Sequence, residues 1–406
     1  MSCEERMMRY CKIDTQSDPR NEMETPSTKK QFDLAKVLAK ELEEFGLENV
    51  TLDEHCYVYG WLPSNTDEPC KTVGFIAHMD TAPDFNGTNV NPRIIECFDG
   101  NDIELNPEVI TKMIDFPEMK KLVGRRLMVT DGNTLLGADD KAGICAIMEA
   151  LAYFVSHPEV KHGRIAVGFT PDEEIGNGPK YFDVEKFGAD FAYTMDGGPI
   201  NVYSEETFNA ASAVVTFKGF SIHPGSAKDK MIDAASVACQ YQCLLPQQMT
   251  PEHTEGKEGF IHLGGMSGDT ESATLEYIIR DHDAKKLEEK KKLLQDAVAY
   301  INAIYGEGTA SITLKDAYRN MIEVLSKRPE VKDTAFKAMA DLGIVPEIEA
   351  IRGGTDGAEL SYRGLPCPNL GTGGGNCHGR YEYCDIAEME QVSQLIIAIA
   401  KRTLEA

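Results

Sequence analysis

The chain has 406 residues, with 41 basic side chains against 66 acidic ones and a formal net charge of −25. That length allows two domains. That charge argues against nucleic acid or an anionic membrane surface as the main partner. No stretch approaches the length of a transmembrane helix. Residues 1–10 carry no apolar core of a secretion signal. The 11 cysteines are scattered and form no Cys-x-x-Cys, which suits a reduced cytoplasmic protein better than a disulfide framework.

In chain order, residues 28–45 read as an amphipathic helix, with Phe32, Leu34, Ala35, Leu38, Ala39, Leu42 and Phe45 on its apolar face and Gly46 closing it. Residues 57–62 read as a strand. Thr72–Ala77 is the first buried-strand candidate, and it runs into His78-Met-Asp80. In an extended chain residues two apart point the same way. Asp80 can then hold one imidazole nitrogen of His78 while the other binds a metal. A strand-end histidine alone is more often structural. Residues 84–120 read as loop.

Leu136-Gly-Ala-Asp139-Asp140-Lys-Ala-Gly143 follows, and then a helix-period run of Ile144, Ile147, Met148, Leu151, Ala152 and Val155. An acidic pair at a helix start reads first as an N-cap in a favourable dipole. Other strand ends change that reading. Arg164–Phe169 ends in Thr-Pro-Asp172-Glu173-Glu174, and Asp190–Met195 ends in Asp196-Gly-Gly-Pro. Three consecutive acids are costly unless something positive sits among them. Of two adjacent glutamates, one can bind metal while the other stays free as a base. Polar residues gathered at strand C-termini mark the ligand edge of an α/β sheet.

After residue 207 the pattern becomes strand, helix, strand, strand, helix, strand: 211–217, 231–245, 260–263, 273–279, 284–305 and 310–314. That is the split βαβ order, at the size of an inserted domain. The remainder returns to the first style. Arg352-Gly-Gly-Thr-Asp-Gly357 is a glycine turn, Asn369-Leu-Gly-Thr-Gly-Gly-Gly-Asn-Cys-His378 a glycine loop with one histidine, and 386–404 a last helix.

Collected, His78, Asp140, Glu173, Glu174, Asp196 and His378 make a nitrogen and oxygen donor set that suits Zn²⁺ or Mn²⁺. One bridging carboxylate, with one histidine and one acid per metal, would hold two ions about 3.5–4 Å apart over a shared hydroxide. The chemistry implied is hydrolysis of an amide or ester.

His78-Met-Asp80, Gly137-Ala-Asp-Asp140, Asp172-Glu-Glu-Ile-Gly176 and the late His378 resemble the dinuclear zinc peptidase superfamily that includes aminoacylases and glutamate carboxypeptidases. Asp14-Thr-Gln-Ser17, Pro251-Glu-His-Thr-Glu-Gly256, Arg352-Gly-Gly-Thr-Asp-Gly-Ala358 and Gly364-Leu-Pro-Cys-Pro-Asn369 are similar to its tripeptide-aminopeptidase branch. The resemblance spans almost the whole chain. It implies an α/β, mixed-sheet catalytic domain over 1–207 and 322–406, and an inserted ferredoxin-like α+β lid or dimerisation domain over 208–321. It implies two Zn²⁺ per subunit, tripeptide substrates, and a monomer or homodimer. By motif, Asp140 would bridge the metals, His78 and Asp196 complete one site, and Glu174 and His378 the other. Glu173 would be the general base and Asp80 would orient His78. His223, in Ser-Ile-His-Pro-Gly, matches a residue that in relatives holds the oxyanion. Arg280 and Arg352 are the candidates for gripping the peptide's C-terminal carboxylate. Around Gly375 and Cys377, relatives often carry an aromatic residue, which touches side-chain preference and not the ligands. A dipeptidase or an N-acyl amino acid deacylase is the alternative within the superfamily. A scaffold that binds metal without catalysis is opposed by the complete ligand set and by Glu173.

Overall fold

The computed structural model describes residues 1–405. It divides into two compact units, one made of residues 1–205, 323–349 and the chain from Thr355 on, the other of 206–322 and 350–354. Ala350–Gly354, expected with the catalytic part, belongs to the second unit. There the Ile351 N–H donates to the Glu206 carbonyl and the Phe208 N–H to the Gly353 carbonyl.

The first unit is built on an eight-stranded mixed sheet. Its spatial order is 48–52, 58–62, 165–170, 73–78, 191–194, 369–370, 202–206 and 347–350. Val73–His78 and Ile165–Thr170 are buried at every position, as strands covered on both faces must be. They pair in parallel with His78 opposite Thr170, and Val73–His78 pairs in parallel with Phe191–Thr194 on its other side. Three neighbouring strands therefore end on one edge. The segments carrying His78 and Asp80, Glu173 and Glu174, and Asp196 emerge there together.

The helix Ala138–Ser156 packs on Val73–His78 and on the helix Ile386–Arg402. Ile144, Ile147, Met148 and Leu151 are all buried, each contributing about 1.5–3 kcal/mol relative to exposure. Gly143 lets this helix approach the sheet edge, because a Cβ there would run into the Met195 carbonyl and the Asp140 carboxylate. The helix begins two residues after Leu136, at a left-handed Gly137 (φ 79°), and Asp139 and Asp140 keep non-helical backbone angles inside it.

The segment expected as loop, 84–120, carries short strands. Arg93–Ile95, Leu127–Val129, Tyr383–Asp385 and Gly374–Gly375 share a four-stranded sheet, and Ile103–Asn106 pairs with Val109–Thr111. Strands of two to four residues between Asn, Asp and Pro turns are too short to show a period. This small sheet holds both ends of the His378 loop.

The second unit is a four-stranded antiparallel sheet in the order 260–268, 272–281, 209–218 and 310–316, with the helices Ala234–Leu244 and Ala284–Tyr305 sharing its core. From Ala211 on, Asn209–Lys218 alternates buried and exposed positions, so one face is packed and the other open.

Candidate active site

All the proposed metal ligands lie in the first unit. His78, at the last position of its strand, is 2 % exposed. Its Nδ1 faces the Asp80 backbone carbonyl at 3.1 Å and Asp80 Oδ1 at 3.4 Å. Its Nε2 meets Asp139 Oδ1 at 2.9 Å. The Asp80 carboxylate also accepts the backbone N–H groups of Glu173 (3.0 Å) and Glu174 (3.2 Å), so one buried acid ties the His78 ring to the loop after the neighbouring strand. That loop is further held by Asp172, whose carboxylate accepts from the Ser27 N–H and hydroxyl and from the Gln31 amide.

His378 faces the same place from its glycine loop. Its Nε2 lies 3.0 Å from Glu174 Oε2 and 3.4 Å from Asp139 Oδ2. The Asp139 carboxylate thus offers one oxygen to each histidine Nε2, the disposition of a bridging ligand. Asp140, expected in that position, is elsewhere. It is fully buried, and its Oδ2 accepts the backbone N–H of His78 at 3.2 Å. The non-helical backbone of the pair turns the two neighbouring side chains to different tasks. Ligand atoms of His78, Asp139 and Glu174 lie within 4.8 Å of one another, and so do those of His78, Glu173 and Asp196. Asp196 is steadied by the Asn369 amide, which donates to its backbone carbonyl at 2.9 Å and reaches its Oδ2 at 3.5 Å.

The electrostatics match an ion site. Burial pushes Glu173 and Asp140 well above the ordinary carboxylate range, and burial together with the charge of Asp139 lifts Glu174 to about 7 and Asp196 to about 6. Asp139 goes the other way: burial raises it, but hydrogen bonds from His378 and His78 outweigh burial and hold it low. Hydrogen bonds to Asp139 and Glu174 raise His378 to about 11. Burial opposes protonation of His78, yet Asp139 and Asp80 carry it well above its ordinary value. Glu174 Oε1 and Asp140 Oδ1 are buried without a hydrogen-bond partner. An excess of buried carboxylate, an orphaned oxygen on a ligand, and the His78 imidazole fixed through Nδ1 fit divalent cations held by nitrogen and oxygen donors.

The three substrate-side candidates lie in the second unit. His223 is exposed, and its Nδ1 accepts the Gly225 N–H at 3.1 Å, so the neutral ring carries its proton on Nε2. Arg280 spends one terminal nitrogen on the carbonyls of Ala211 and Ile279 and sits over the Tyr318 ring. Arg352 does not present the open fork expected of it. Its terminal nitrogens donate to the carbonyls of Gly256 (2.7 Å), Glu258 (2.9 Å) and Thr254 (3.3 Å) and to the Thr254 hydroxyl (3.0 Å), and it lies over the rings of Phe208 and Phe260. Asp139, Asn369 and Glu382 are the site residues that sequence reasoning passed over. Asp139 shared a motif with its neighbour, and only the backbone decides between the two.

Residues 130–402 match the profile of the peptidase family M20/M25/M40. This chain belongs to that family. It is 53% identical over 397 residues to peptidase T of Lysinibacillus sphaericus, covering 98% of this chain and 97% of that one. Its fold matches the crystal structure of the aminopeptidase PepT from Bacillus cereus (TM-score 0.77, 21% identity, 99% of this chain and 98% of that one). It matches equally a tripeptidase from Staphylococcus aureus (TM-score 0.77, 21% identity, 100% and 98%). The M20 chain is a metallopeptidase, and zinc is the family's standard metal. Among the described residues no helix is long and apolar enough to cross a membrane.

Proposed function

We propose that this chain is a cytoplasmic zinc aminopeptidase that releases the N-terminal residue of tripeptides. The observation that carries the reading is the Asp139 carboxylate, set between His78 Nε2 and His378 Nε2, with Glu173 grouped with His78 and Asp196. In this reading Asp139, and not Asp140, would be the ligand shared by two zinc ions, with His78 and Asp196 available to one of them and Glu174 and His378 to the other. The 11 free thiols support a reducing compartment.

When bound, the zinc pair acidifies a water and polarises the scissile carbonyl. Glu173 takes the proton of the attacking water and returns it to the leaving amine. Burial raises its carboxyl well above the ordinary carboxylate range, which favours its taking up that proton. Asp80 holds the His78 ring through Nδ1, which leaves Nε2 for the metal. Asp140 pins the backbone of His78. By the resemblance, His223 is the candidate for holding the carbonyl oxygen as it gains charge. Arg280 remains the candidate for the peptide's C-terminal carboxylate. Arg352, its terminal N–H groups committed, supports the 254–258 loop instead.

The test is product analysis by mass spectrometry on the zinc-loaded protein, with a tripeptide, its N-acetylated form, the matching dipeptide and a tetrapeptide. Release of the first residue from the free tripeptide alone is the expected outcome. Deacetylation, or preference for the dipeptide, would replace this reading with a deacylase or a dipeptidase.

A further inference from the structure

Asp139 faces two histidines from other parts of the chain, so something must hold its own backbone. The turn before it has a left-handed Gly137 and no side-chain cap. Its N–H groups go instead to a single distant acid. Glu382, 2 % exposed, accepts from the backbone N–H of Leu136 (2.7 Å) and Gly137 (2.8 Å) through Oε2, and from that of Asp139 (3.0 Å) through Oε1. Burying a carboxylate is costly, and charge-assisted bonds from N–H groups offset that cost. A neutral side chain would close the turn without burying a charge. Glu382 also sits four residues after His378, and the next strand, Tyr383–Asp385, pairs with Leu127–Val129 on the way to the turn. One loop therefore meets Asp139 twice: His378 faces its side chain, and Glu382 holds its backbone.

We propose that Glu382 is a positioning residue for the two-metal centre, fixing the N–H groups of Leu136, Gly137 and Asp139 so that the Asp139 carboxylate faces both histidines. The proposal rests on Asp139 as the bridge. It makes the His378 loop and the acidic turn one mechanical unit, although 243 residues separate Glu382 from Asp139.

The experiment compares Glu382→Gln, Glu382→Asp and Asp139→Asn with the native protein. Zinc content and affinity are measured by competition with a chromophoric chelator. The visible spectrum of the cobalt-substituted protein reports ligand geometry, and circular dichroism with thermal melting of the metal-free protein reports the fold. Glu382→Gln puts an amide N–H₂ against a backbone N–H. It is expected to fold, to bind zinc about 10–100-fold more weakly, and to shift the cobalt spectrum. Glu382→Asp keeps both acceptor oxygens and is expected to recover part of the affinity. Tyr193→Phe, which removes a hydroxyl bonded to the Val331 carbonyl in the same unit, controls for stability alone and should leave zinc binding unchanged. Native affinity and a native cobalt spectrum in Glu382→Gln would overturn the proposal. So would failure of both Glu382 variants to fold without metal while Asp139→Asn folds, since that would make Glu382 a residue of the fold alone. Asp139→Asn is expected to lose both metals together. If it keeps them, the bridge assignment itself falls, a result distinct from an inert Glu382.

Discussion

The two units solve the same problem, covering a sheet, in different ways, and the difference decides where chemistry can sit. In the first unit the central strands are buried on both faces. Phe75 packs into one core and its neighbour Ile76 into the other. Polar groups have no place along such a strand and collect at its end, where His78, Glu173, Glu174 and Asp196 meet. In the second unit the strands alternate: Val215 is fully buried while Val214 is 39% exposed. Polar side chains there can lie anywhere on the open face, and two arginines are used to tie loops and rings together. Side-chain chemistry is concentrated by the first architecture and dispersed by the second.

The sharpest test of that concentration is the base. Glu173→Gln keeps the shape of the side chain and removes its proton transfer. Turnover should fall about 10²–10⁴-fold, measured as kcat on a tripeptide, while zinc content of the purified variant stays native. A variant that keeps more than about a tenth of native kcat would show that another group carries the proton.

Much of this was legible in the sequence, for a physical reason. A doubly covered parallel strand is a continuous apolar run, and its end is abrupt, so the motifs after Ala77, Phe169 and Met195 announced themselves. The split βαβ order was legible because alternation or helix period persists over ten or more residues in two strands and both long helices of the second unit. Three things were not. Asp139 and Asp140 are the same residue type at adjacent positions, and the choice between them is made by backbone angles. Glu382 acts on N–H groups far away in sequence, and no local pattern marks an acceptor of distant backbone. The small sheet holding the His378 loop is made of strands too short for periodicity.

The contrast between the sheets can be broken by substitution at neighbouring positions. Phe75→Ala and Ile76→Ala should each cost about 2–5 kcal/mol, since each leaves a cavity in a separate core. In the second unit Val214→Thr should stay within about 0.5 kcal/mol, although its neighbour Val215 is in the packed core. Chemical denaturation of the four proteins reads the difference. Equal costs at Val214 and Ile76 would mean that the open face of the second sheet is covered in solution.

Arg352 gives the finest distinction. Its terminal nitrogens hold three carbonyls and a hydroxyl of the 254–258 loop, partly in contact with solvent, and its plane lies 5.2 Å from the Phe208 ring centre. Arg352→Met keeps a flexible apolar stem over the rings and removes every donor. Water can replace some of the lost bonds, so the cost should be about 1–2 kcal/mol. Hydrogen exchange should rise in 254–260 and not in the first unit. A residue that grips the substrate carboxylate would behave in the opposite way: exchange and melting would stay native while KM for tripeptides rose and kcat held. The hydrogen bonds favour the first outcome, because a guanidinium whose terminal N–H groups are all engaged must give some up before it can take a carboxylate in two-point contact.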